Sequence, residues 1–405
     1  MEKDRDIQYF IASGSVRSIS MGFQIIIFPI YLSLIGATPV TIGLLIGITQ
    51  LSGVTRSFIF GMLADKYGKK PFLILEPLFG TAQFLSLLVS GGDITIIAIG
   101  AMIGGTAGAE SAAGGPVGTA YLADRSTNEK RTFNFSRFWF ATTLAGAVGS
   151  AIGALPRLFQ DRLGFSVIES YDPLFALGVM LLLLASISLI PIKDSRAKQI
   201  KEKKSFWPTK SKDIVLKMSI SEGLNGFAVR VVIPFLPLWF FSQFGADIVL
   251  VSSLFALGRI TLALSQRILA PRIAERIGSV KSVILVRVLS AIFLVLMPFM
   301  PSFHWAGLLW LLSFSIGLAA MPIRRSYLMG IVEQDERGAS AAITQSTWMI
   351  TGTIAPTIGG YLMGALSSAV PFYTSFIFFL ANAGTMYKFF NNIKPPEEIE
   401  KDSEQ

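Results

Sequence analysis

Cysteine is absent from all 405 residues, and histidine occurs once, at His304. A disulfide, a thiolate metal site and a cysteine nucleophile are therefore excluded, and one histidine in a loop offers no basis for a proton relay or a metal centre. Charge is scarce too: Asp, Glu, Lys and Arg supply 15% of the residues, against 52% hydrophobic ones. With a mean hydropathy of +0.59, the chain is too apolar for a water-soluble domain of this length. No G-x-x-x-x-G-K-[ST] loop is present, which removes the usual means of hydrolysing ATP. "MEKDRDIQYF" lacks the basic, apolar, small-residue order of a signal peptide, so it is expected to be a short uncleaved cytoplasmic tail.

What the chain has instead is long apolar runs. Segments such as "VMLLLLASISLI" and "AIFLVLMPFM" are apolar on every face, which fits membrane helices and not the alternating strands of a barrel. The hydrocarbon core of about 30 Å needs about 20 such residues. Twelve spans are predicted, at 8–35, 39–64, 71–91, 94–122, 132–156, 172–191, 213–243, 247–270, 280–300, 303–329, 339–365 and 368–391. The expected fold class is an all-α membrane protein.

The net charge of +9 is spread in a way that argues for topology and against nucleic acid. Lys66, Lys69 and Lys70, then Arg125, Lys130 and Arg131, then Arg272, Arg276 and Lys281, and finally Arg337 fall in alternate loops. Most of the opposite loops carry no Lys or Arg, the exception being the loop with Arg157 and Arg162. The positive-inside rule then places both termini in the cytoplasm of a multi-pass cell-membrane protein, with lipid as its surroundings.

The chain also repeats itself. A shift of 210 lays Asp65 over Glu275 and Gly68 over Gly278, and a shift of 206 lays Pro116 over Pro322, Tyr121 over Tyr327, Gly146 over Gly352 and Gly153 over Gly359. Two parallel six-helix bundles are expected, at 1–192 and 213–394, joined by a basic cytoplasmic linker at 193–212 and followed by a tail at 395–405.

Between the second and third spans stands "GMLADKYGKK". Gly61, Asp65, Lys66, Gly68, Lys69 and Lys70 reproduce the pattern G-x-x-x-D-[RK]-x-G-[RK]-[RK], and the chain as a whole resembles the major facilitator superfamily of secondary transporters. "VEQDERGASAAI" before the eleventh span looks like that superfamily's usual loop there. The resemblance implies a transporter, not an enzyme, working as a monomer by alternating access. It implies that Asp65 acts as a conformational latch, that Gly61 permits close helix approach, that Lys69 and Lys70 contact lipid phosphate, and that Glu275 is the latch's second copy. The glycine-rich "LAGAVGSAIGALP" lacks the Gly-Pro pair that exporters of the superfamily carry in the fifth span, so direction stays open.

Polar groups at membrane depth are costly and mark function or internal pairing. Ser13, Arg17, Ser20 and Gln24 recur at helical spacing and form one polar stripe, expected to be a cavity wall. Glu110, Glu222, Asn225 and Arg230 are the other candidates for substrate binding or proton coupling, with Arg56 and Arg259 as further buried charges. Arg17 is expected either at the substrate site or in a salt bridge with Glu110. Arg324 and Arg325 are expected to be structural or topogenic.

A proton is the expected coupling ion, because burial and a neighbouring arginine act in opposite senses on a carboxylate's proton. Neither cofactor nor metal is expected. The substrate is a small molecule, with export of amphipathic compounds favoured over uptake or exchange of a small organic anion. A non-transporting receptor or an intramembrane enzyme is the remaining alternative.

Overall fold

The computed structural model of the protein describes residues 2–105, 115–127, 130–194, 208–266, 270–334 and 336–393. Its first half contains α1 (Glu2–Leu34), α2 (Pro39–Tyr67), α3 (Lys70–Val89), α4 (Ile94–Gly104), α5 (Gly115–Arg125), α6 (Arg131–Ile152), α7 (Leu155–Leu163) and α8 (Asp172–Ile187). The second half contains α9 (Lys212–Val232), α10 (Leu236–Phe244), α11 (Ile248–Leu264), α12 (Ala270–Ile277), α13 (Ser279–Leu296), α14 (Phe303–Ile331), α15 (Arg337–Ala365) and α16 (Val370–Phe390).

Helix ends follow local chemistry. Thr38 Oγ1 accepts from the Thr41 amide at 3.2 Å, with Pro39 in the first turn of α2, and Asp93 accepts from the Thr95 amide at 2.7 Å to start α4. Gly164 and Gly245 stop α7 and α10 in the left-handed region, at φ 70 and 57.

Eight helices among the described residues are long and apolar enough to cross a membrane, and Ile94–Gly104 and Ile248–Leu264 are shorter apolar helices. The described helices are consistent with the twelve expected spans, though α15 and α16, at the eleventh and twelfth, are not among these eight, and three further differences stand out. The fourth is described as α4 and α5 on either side of residues 106–114. The seventh is broken by a tight turn over Ile233–Phe235, where Pro234 and Pro237 supply no amide donors. The short helices α7 and α12 fall outside the predicted spans, since neither is long enough to give a membrane signal.

The chain forms two compact units, one of Met1–Lys201 with Pro234–Ile260, the other of Glu202–Ile233 with Thr261–Gln405. Within the first, α1 packs on α6 and α8, and α3 on α8. Within the second, α9 packs on α15 and α16, and α13 on α16. These are the same pairings at repeat-related positions. The apolar clusters repeat as well: Val117, Tyr121 and Leu122 in one, Ile323, Tyr327 and Leu328 in the other. Tyr121 donates to the carbonyl of Lys193 at 3.2 Å, and Tyr327 to that of Ile393 at 3.0 Å, so each ties down the chain just past the last helix of its half of the sequence, α8 or α16.

Close approach falls on other glycines than Gly61. A Cβ on Gly22 of α1 would run into the backbone of Gly146, Gly149 and Ser150 on α6, whereas one on Gly61 would meet no atom within 4 Å. The packing role expected of Gly61 is thus taken by Gly22 and Gly149.

Candidate functional site

Arg17 of α1, Arg56 of α2 and Glu76 of α3 meet inside the first unit. Arg17 Nη2 donates to Glu76 Oε1 at 3.0 Å, and Arg56 Nε to Glu76 Oε2 at 3.5 Å, with all three side chains buried. Arg56 also donates to the carbonyls of Ile103, at 2.9 Å, and Gly105. Those carbonyls belong to the C-terminal end of α4, where the last turn lacks intrahelical donors and the helix dipole favours a cation. Among the described residues the partner of Arg17 is therefore Glu76. Glu110, named from sequence for that role, lies outside the described residues. The polar stripe on α1 is an internal seam as far as Ser13 and Arg17 are concerned, because Ser13 donates to the carbonyl of Ala185 on α8 at 2.7 Å. Gln24, further along the stripe, is buried.

The second unit has a counterpart with a different layout. Glu222 of α9 lies 2.6 Å from Arg324 Nε of α14, and Arg287, 1% exposed, stands on α13, which packs on α14, with its charge acting on both. Each cluster, among the described residues, thus joins two buried arginines to one glutamate. In the first unit the third span contributes the carboxylate; in the second it contributes an arginine.

Glu76 and Arg287 escaped the sequence reading. Their signal was a single charge inside "FLILEPLFG" and "VILVRVLSA", the same signal used for Arg17. Of the two readings given for Arg324, structural or topogenic, the structural one fits: it is a buried partner of Glu222, while its neighbour Arg325 is exposed.

The remaining candidates do not join either cluster through a contact described here. Arg230 stacks 3.9 Å from the Trp348 ring centroid and donates to the Met349 carbonyl at 3.3 Å. Its guanidinium occupies the space above Gly352, as that of Arg259 does above Gly146. The repeated glycine is in each unit a seat for an arginine. Asn225 is buried one turn from Glu222, with Oδ1 lacking a hydrogen-bond partner.

At the other end of the bundles, carboxylates hold helix N-termini. Asp194 accepts from the amides of Lys69, at 2.9 Å, and Lys70, at 3.2 Å, beside Gly68 at φ 94. Lys69 is buried and pairs with Asp124, so it is not turned to lipid. Asp65 and Glu275 are exposed. Glu336 accepts from the amides of Thr209, Lys210 and Ser211 at 2.6, 2.9 and 2.7 Å.

Burial pushes the Glu336 carboxyl up, but the amide bonds from Lys210, Ser211 and Thr209 outweigh it and hold the group down at about 2. A depressed carboxylate contributes stability that is present above its ordinary value of 4.5 and is lost as pH falls toward about 2. Glu336→Gln is expected to flatten the acid limb of stability in that window, measured by thermal melting of parent and variant across it.

Helices of membrane-spanning length, a doubled bundle and paired charges at depth define a multi-pass membrane carrier. The family model for the Major Facilitator Superfamily matches residues 10–321 and 218–405, and the chain belongs to that family. The quinolone resistance protein NorA of Staphylococcus aureus is 24% identical over 229 residues, 54% of this chain and 56% of the relative. An uncharacterised MFS-type transporter of Methanocaldococcus jannaschii is 28% identical over 186 residues, 46% of this chain and 45% of the relative. The chain spans about half the length of the curated relatives it matches. Among solved structures, a bacterial homologue of the human lysosomal transporter Spinster aligns with TM-score 0.75 at 13% identity, covering 96% of both chains. A D-xylose-proton symporter aligns with TM-score 0.72 at 14% identity, covering 95% of this chain and 98% of the other. Both likenesses are of fold.

Proposed function

We propose that the protein is a proton-coupled secondary transporter of a small amphipathic organic compound, acting as a monomer in the cytoplasmic membrane with both termini inside. The observation that supports it most is the buried ion pair of Glu222 and Arg324. The two groups stand on different helices, α9 and α14, so a relative shift of those helices would exchange the glutamate's cation for a proton. Glu76, gripped by Arg17 and Arg56 together, is the less suited of the two carboxylates to such an exchange. The likeness to NorA, named for quinolone resistance, supports export; the surplus of buried arginine supports an anion. Asp65 and Glu275, exposed at repeat-related helix ends, are proposed as the latch.

Glu222→Gln is expected to abolish accumulation driven by an imposed pH gradient in proteoliposomes while leaving passive exchange of the same compound intact. Accumulation with the parent's pH dependence in the variant would remove Glu222 from the coupling step.

A further inference from the structure

The two buried clusters differ in whether their donors are met. No nitrogen of Arg17 or Arg56 is among the described buried atoms without a partner: Arg17 Nη2 meets Glu76, and the three nitrogens of Arg56 meet Glu76 and the end of α4. In the second unit, Arg287 Nε and Nη2 and Arg324 Nη1 are buried with no hydrogen-bond partner, and Arg324 Nε meets Glu222 as an ion pair without hydrogen-bond geometry. Arg287 lies eight residues into α13, about 12 Å along the helix at 1.5 Å per residue, so its charge is at membrane depth. The ring of Phe379 lies 5.6 Å from the guanidinium carbon. An aromatic face offers attraction but no acceptor for the ring-plane N–H groups.

Unmet guanidinium donors in a buried site are expensive, and among the described residues two arginines share one carboxylate, so their positive charge exceeds the negative charge beside it. A neutral carbonyl would meet the donors without meeting the charge. A group with two or more anionic oxygens would meet both, since the guanidinium fork matches carboxylate and phosphate. We propose that Arg287 and Arg324 form an oxyanion subsite within the second unit, which takes the carboxylate, phosphate or sulfate group of the transported compound. The inference rests on the transporter function proposed above and adds the charge class of its substrate.

Glu222 is this subsite's internal competitor. It already engages Arg324 Nε, and an incoming anion must share that arginine with it. Among the described residues, Arg324 from α14 and Arg287 from α13 are charged groups that act on Glu222. Against the same stretch of α9, α15 sets the neutral Thr347 and Thr351 beside Gly223, and α16 sets the neutral Asn382 against Ser221. Neutralising Glu222 therefore frees Arg324 for the ligand, and a bound proton and a bound anion favour each other.

The test is binding, separate from transport. Thermal melting of the purified full-length protein is followed with benzoate, inorganic phosphate and sulfate, each against sodium chloride at equal ionic strength. At least one oxyanion is expected to raise the melting temperature of the parent, with Arg287→Gln abolishing the response and Arg325→Gln, at an exposed position on α14, retaining it. Glu222→Gln is expected to bind the responding anion about tenfold more tightly, an increase that misfolding does not produce. If Arg287→Gln does not fold, this gain decides the matter alone. The subsite is overturned if none of the three anions stabilises the parent beyond chloride, if Arg287→Gln responds as the parent does, or if Glu222→Gln weakens binding. Proton-driven accumulation of a compound by a protein that ignores all three anions would refute the subsite and leave the transporter standing. Anion binding without any transport would do the reverse.

Discussion

Glu76→Gln is expected to destabilise the protein by about 3–5 kcal/mol, the usual penalty for removing one partner of a buried ion pair. Two guanidinium groups, Arg17 and Arg56, depend on that carboxylate, and both are buried. An amide keeps the shape and one acceptor oxygen but loses the charge. Arg17→Met is expected to cost less, because Glu76 would keep Arg56, and Arg56 would keep the carbonyls of Ile103 and Gly105. Melting curves in detergent give the ordering directly. If Glu76→Gln melts with the parent, the cluster is not the brace of the first unit. The comparison also separates the two units, since Arg287, already lacking partners, has no comparable hydrogen bond to lose.

Gly149→Ala is the second large effect, at about 3 kcal/mol of overpacking. The added Cβ would lie 2.8 Å from Ile19 Cα, and would press on the Ile19 carbonyl as well. Those atoms are helix backbone, so relief requires α1 and α6 to separate along their packed length rather than one side chain to swing away. The matched control is Gly61→Ala, where no atom lies within 4 Å. It is expected to be neutral or stabilising by about 0.5–1 kcal/mol, since alanine is the better helix residue. Equal melting temperatures for the two variants would count against the close α1 and α6 contact.

The pair illustrates how much the sequence conveys. Gly61, Gly146 and Gly149 all sit at plausible small-residue positions in apolar helices. Periodicity cannot say which glycine faces a neighbouring backbone and which faces open space.

Charges divide in the same way. That Arg17, Arg56 and Glu222 are buried follows from their place inside apolar runs, because a span of about 20 residues leaves no other depth for them. Which carboxylate each arginine meets does not follow. Arg17 and Glu76 are 59 residues apart and Glu222 and Arg324 are 102 apart, 324 minus 222, so each pair exists only once helices from distant spans are packed side by side.

By itself the sequence determined the membrane and the helical class, and it set the expectation of a doubled six-span plan, because hydropathy, loop charge and an offset of 206 to 210 are properties of the linear order. Tertiary structure alone decided the pairing of charges. It placed Glu76 between two arginines, gave Asp194 and Glu336 the helix ends, turned Lys69 inward to Asp124, and left Arg287 without an acceptor. The reason is physical: burial energy depends on what a residue is, whereas the satisfaction of a buried charge depends on which atoms lie within about 3 Å of it, and only the packed helices set that distance.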